Sequence, residues 1–136
     1  MPINLDPIAQ AVAEGLNDAR IAYHAADGGR LRIPLPNNFG ELEIGAIDTI
    51  PNSVDSIVGL VGESWHTHGD VLSAEFGGRG HIEGILRFVR AVFAGEYLLI
   101  EEQSPGQLPR RTILKDMGRY LKHLPSDTTY RVCHPT

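Results

Sequence analysis

The strongest periodic signal in the chain is Ile82, Ile85, Leu86, Val89, Val92 and Phe93, apolar residues three or four apart. This spacing predicts an amphipathic helix laid on a sheet and ended by Gly95. A second helix is signalled by Asp6-Pro7, a side-chain cap followed by proline at the first helical position, with Ile8, Ala11, Val12, Gly15 and Ala19 recurring after it. Met117, Leu121 and Leu124 mark a third, short helix from about Lys115, closed by Pro125.

Elsewhere the period falls to two. Residues 21–25 and 30–35, with Leu31, Ile33 and Leu35 on one face, read as a hairpin around Asp27-Gly28-Gly29. Leu42, Ile44 and Ala46 alternate with Glu41, Glu43 and Gly45 in a half-buried strand, and residues 48–53 have turn chemistry. Ile57, Val58, Leu60 and Val61 make the run 56–62 nearly continuous in apolar character, which predicts a central strand covered on both faces. Residues 97–101 and 110–114 form a second hairpin around Ser104-Pro105-Gly106, and 128–133 a last strand, with Tyr97 and Tyr130 expected in the core. Hairpin-linked strands outnumber βαβ units. The expected fold is therefore α+β: a single domain over residues 1–136, with one antiparallel or mixed sheet of about six or seven strands and three helices packed on it.

A chain of 136 residues is long enough for one core that hides roughly two thirds of the unfolded surface. Its 12 Lys and Arg against 17 Asp and Glu give a net charge of −5, with no basic cluster. Phosphate backbones need a concentrated positive face, so nucleic acid is not an expected partner, whereas a basic protein is compatible. Cys133 is the only cysteine, which rules out an intrachain disulfide, and residues 1–20 lack the basic start and apolar centre of a signal peptide. A cytoplasmic setting is expected. No membrane segment is expected either, because the most apolar run, 82–94, is short and carries Arg87 and Arg90 where a span needs ~20 apolar residues.

Candidate chemistry concentrates in Glu63-Ser64-Trp65-His66-Thr67-His68-Gly69-Asp70. Two histidines two residues apart in an extended chain project from one face and can share a metal. Zinc in a catalytic site takes at least three protein ligands, so Glu63, Asp70, Glu75, His81 or a distant residue would have to complete the set; the hydrolase reading takes Asp70 as third ligand and Glu63 as general base for a metal-bound water. The leading alternative keeps both imidazoles as hydrogen-bonded residues at a strand end, with Trp65 in the core and Gly69-Asp70 forming a turn. Between these stands a protein-binding patch built on the aromatic, the imidazoles and the acids.

Other residues carry weaker signals. Cys133 and His134 are adjacent in a strand and point to opposite faces, so the thiol reads as a small core residue rather than a nucleophile. His24, His81 and His123 have no motif around them, and Gly77-Gly78-Arg79-Gly80 lacks the Lys-Ser/Thr ending of a phosphate loop and reads as a flexible connection. Glu101 and Glu102, taken with Glu41 and Glu43, would form an acidic surface if the fold brings them together.

His66, His68 and Asp70 resemble the His-x-His-x-Asp-His motif of the metallo-β-lactamase superfamily, but Val71 stands where that motif has histidine, and that fold needs a longer chain. The apolar run before His66-Thr67-His68 also resembles the JAMM metalloprotease pattern, yet Phe76 and Arg79 occupy the positions of its serine and metal-binding aspartate. The Trp65 to Asp70 element, followed by the helix, glycine and strand of residues 82–102, resembles segments of small acidic bacterial immunity proteins. That resemblance implies a non-enzymatic, cytoplasmic binding protein that occludes the active site of a basic toxin domain, with Trp65, His66, His68, Asp70, Glu101 and Glu102 at the contact and no cofactor. The alternative is a small zinc-dependent hydrolase using His66 and His68.

Overall fold

The computed structural model describes residues 5–47 and 56–134. The turn expected at 48–53 lies outside them. Helix α1 (Pro7–Ala19) begins as its sequence dictates: one oxygen of Asp6 accepts from the Ala9 amide at 2.7 Å. The other accepts from the Ala46 amide at 3.1 Å, so the same cap ties the helix start to the end of a strand. Its buried residues are Ala9, Val12, Ala13 and Leu16, a stripe turned by one residue from the one that Ile8, Ala11, Val12, Gly15 and Ala19 suggested. Gly15 has a close neighbour. A Cβ on Gly15 would stand 2.4 Å from the Leu86 side chain, so this position lets the next long helix approach.

Five strands follow one another in an antiparallel meander: β1 (His24–Ala26), β2 (Arg30–Pro34), β3 (Glu41–Ala46), β4 (Ser56–Leu60) and β5 (His66–His68). In β4, Ser56, Val58 and Leu60 are buried while Ile57 and Gly59 are half-exposed, so it is covered on one face only. The continuous apolar run misled because Val61, 39% exposed, lies beyond the strand.

Helix α2 (Gly69–Glu75) starts where a turn was expected. Only Gly69 and Leu72 in it are buried, so it leaves no apolar stripe to read. Its tight packing on α3 (His81–Phe93) depends on Gly84, where a Cβ would meet the Ser73 amide nitrogen at 2.6 Å and the Leu72 carbonyl carbon at 2.7 Å. Strands β6 (Leu98–Gln103), β7 (Arg110–Leu114) and β8 (Thr129–His134) form a separate antiparallel sheet in the order β7-β6-β8, with α4 (Met117–His123) between the last two in sequence. The fold is α+β as expected, but the described residues form two sheets of five and three strands and four α-helices rather than one sheet and three helices.

One core joins these parts. Leu31, Ile33, Leu42, Ile44, Val58 and Leu60 of the large sheet meet α1 and α3, and Leu99 and Ile113 of the small sheet close the same cluster. Phe88 sits at its centre, stacked with Trp65 at 5.8 Å and edge-on to Tyr97 at 4.9 Å. The opposite face of the large sheet is polar: pairing places His24, Arg32, Glu43, Gly59 and His66 in one row across it.

The small sheet turns Leu99 and Ile113 inward, and its other face carries three cross-strand rows: Leu114 beside Leu98, Thr112-Ile100-Val132, and Arg110-Glu102-Tyr130. Helix α4 stands at this outer face, with Tyr120 edge-on to Tyr130 at 5.9 Å. No residue of α4 is buried, although Ile100 beneath that face is. Tyr97 is buried, just ahead of β6, whereas Tyr130 is 41% exposed and is not a core residue. Alternation in β8 puts it on the outer face of the sheet, where the short α4 leaves much of it uncovered.

Candidate functional site

Strand β5 projects His66 and His68 to the same face, their rings 5.3 Å apart and nearly perpendicular. His66 Nδ1 lies 3.0 Å from the Ser64 carbonyl oxygen. A carbonyl only accepts, so Nδ1 carries the proton and neutral His66 presents Nε2 as its lone-pair nitrogen. His68 Nδ1 is buried with no hydrogen-bond partner among the described residues.

The proposed companions of this pair are engaged elsewhere. Asp70 is exposed in the first turn of α2, where its Oδ1 accepts from the Val71 amide at 2.9 Å. Glu63 accepts from the Arg111 amide at 3.2 Å and thereby covers an outward N–H of edge strand β7. Among the described residues, no three His, Cys, Asp or Glu side chains are grouped so as to hold a metal ion. Gly69 serves a close approach instead: a Cβ there would stand 2.0 Å from Ser56 Oγ and 3.0 Å from the ring carbon Cγ of His81.

The expected acidic surface does not form. Glu41 pairs with His24, and Glu43 with Arg32 at 2.9 Å and Arg30 at 3.8 Å, all on the large sheet. Glu101 lies between Arg111 at 3.4 Å and Arg131 at 3.0 Å, and Glu102 pairs with Arg110 at 3.5 Å, on the small sheet. Sequence reasoning counted the acids but not the cations that strand pairing sets opposite them. Arg32 faces Glu43, Arg111 and Arg131 face Glu101, and Arg110 faces Glu102 in register.

Two of the expected contact residues do come together. Half-buried Trp65 and Glu102 line one shallow cleft of about 210 Å³, with Glu63, Arg110 and Arg111. Glu102 and Arg110 also line a larger cleft of about 710 Å³ between the outer face of the small sheet and α4. Its helix side carries Arg119, Tyr120 and His123, and its apolar surface comes from Leu114, Leu124 and Pro125. Burial first, and then the neighbouring Glu102 carboxylate, push the Tyr120 phenol well above the usual tyrosine range.

Residues of this cleft other than Glu102 were not anticipated. Arg119 and His123 are four apart and so share a helix face, but nothing local tells that this face looks onto a sheet. Tyr97 also acquires a role that its sequence context hid. Its hydroxyl donates to Glu75 at 2.7 Å, and Glu75 pairs with Lys115 at 3.2 Å, which ties α2 to the end of β7. Burial and then the Glu75 hydrogen bond raise the Tyr97 phenol beyond the ordinary range. Cys133 is half-buried and packs against the core without being part of it. No helix among the described residues is long and apolar enough to cross a membrane. Compared with protein-family models, curated protein sequences and solved structures, the chain matches none.

Proposed function

We propose that this is a non-enzymatic binding protein whose partner is another protein, acting in the manner of an immunity protein that covers a toxin domain. The observation that carries the reading is the outer face of the small sheet. Tyr130 and Val132 are each 41% exposed in alternate positions of β8, beside the Arg110-Glu102-Tyr130 row. Exposed aromatic and aliphatic side chains ringed by paired charges are the usual make-up of a protein contact, and tyrosine is a frequent anchor in it. Trp65 joins this surface through the cleft it shares with Glu102 and Arg110.

Of the acids expected to steer a basic partner, Glu43, Glu101 and Glu102 are matched by arginines, so the attraction rests on the net charge of −5 rather than on a local acidic face. Association with a basic partner should accordingly depend only mildly on salt.

The test is affinity capture from the source cells, followed by titration of the purified partner against the native protein and a Tyr130→Ala, Val132→Ala variant. The double variant should bind at least about tenfold more weakly, as expected when anchors at the centre of an interface are truncated. Val71→Ala, which changes an exposed residue of α2, should bind as the native protein does. Equal affinity of the double variant would remove the small sheet from the contact.

A further inference from the structure

The cleft between α4 and the small sheet has the build of a site for a small molecule. Its volume of about 710 Å³ falls within the range of ligand pockets, about 300–1,000 Å³. We propose that it binds a small amphipathic oxyanion, an organic molecule with one carboxylate or phosphate head and an apolar body. This goes beyond the protein-binding reading and does not depend on it.

One guanidinium in the cleft points to an anion. Arg119 lines its helix side, with His123 one turn further along α4, whereas Arg110 on the sheet side is taken up by Glu102. Of the two carboxylates of the cleft, Glu102 pairs with Arg110 at 3.5 Å, and Asp116 is turned to the Gly118 amide, from which it accepts at 2.8 Å as the cap of α4. Arg119 forms no ion pair among the described residues. A guanidinium with five donors and no acceptor is the natural anchor for a carboxylate or phosphate head, to which it can bond in bidentate fashion.

The apolar part of the cleft sets the rest of the ligand. Leu114 at the end of β7 and Leu124 and Pro125 beyond the end of α4 line it together. A chain or ring lying on them would leave solvent while its head stayed at Arg119. An inorganic anion would use only half of this surface.

Isothermal titration of the 136-residue chain with octanoate, octyl phosphate and octanol tests the assignment. At least one of the two anions should bind saturably, and octanol at least about tenfold more weakly, since charge-assisted hydrogen bonds to the head are then missing. Arg119→Ala should weaken anion binding by about tenfold or more, while Arg79→Ala, in the glycine-rich connection ahead of α3, should leave it unchanged. Which of the two anions binds identifies the head. The proposal is overturned if neither anion binds, if octanol binds as tightly as the anions, or if Arg119→Ala binds as the native protein does. Amide shifts confined to residues away from Leu114 and Leu124 during the same titration followed by NMR would overturn it as well.

Discussion

The two sheets of this protein are built from similar antiparallel hairpins and finished very differently. The large sheet gives one face to two thirteen-residue helices and to the inner face of the small sheet, and every large apolar side chain on that side is enclosed. The small sheet shares that core through Leu99 and Ile113, but its outer face meets only the seven-residue α4, none of whose residues is buried. The difference teaches where stability and recognition reside. A face closed by its own chain contributes to folding, and a face left half-open is available to something else.

Truncation in the closed half should cost most. Phe88→Ala removes the ring that packs on Trp65 and Tyr97, and a loss of about 3–5 kcal/mol is expected in urea unfolding, with quenched or shifted Trp65 fluorescence as a local report. Gly84→Ala comes next. The added methyl would press on backbone atoms of α2 at 2.6 Å, which cannot rotate aside, and about 1–3 kcal/mol should be lost. If Gly84→Ala is neutral, α2 and α3 are not held as closely as described.

The alkaline limb of stability sharpens the comparison further. Tyr97 has a folded-state pKa raised above the unfolded value, so the folded protein keeps the phenol protonated where the unfolded chain releases the proton. Its contribution is full below the ordinary tyrosine pKa, near pH ~10, and declines as pH rises through the folded-state value. Chemical denaturation from pH 8 to 11 should show falling stability, with a shallower fall in Tyr97→Phe. A slope unchanged by that substitution would contradict the part-buried Tyr97–Glu75 hydrogen bond.

Changes in the open half should be small. Leu121→Ala, at a position 45% exposed on α4, should shift stability by no more than about 0.5 kcal/mol. Amide hydrogens of α4 should exchange well before those of α3, because few apolar contacts hold the short helix down. Protection of α4 equal to that of α3 would erase the distinction between the two halves.

Local rules were enough for the elements with strong signals. The Asp6-Pro7 start, the Asp27-Gly28-Gly29 hairpin and the stripe through Ile85, Val89 and Val92 each report on residues that touch their sequence neighbours. They failed where the deciding contact lies far along the chain. Gly69-Asp70 reads as a turn and is the start of α2, since the helix is held by Leu72 and by α3 rather than by a stripe of its own. The paired histidines were legible, and β5 does present them together, but Asp70 and Glu63 bond to backbone amides at other places. The acids at positions 41, 43, 101 and 102 look like a charged surface in sequence, but Glu43, Glu101 and Glu102 are matched by arginines across the strands and Glu41 is bonded to His24.

What the sequence determined by itself was the class of fold, most of the helices and strands and the residues worth testing, because hydrophobic period and turn chemistry are properties of short segments. The division into two sheets, the matching of acids to bases and the cleft beneath α4 were decided only by tertiary structure. Each depends on which strand lies beside which, and strand pairing brings together residues such as Glu101 and Arg131 that no local pattern connects.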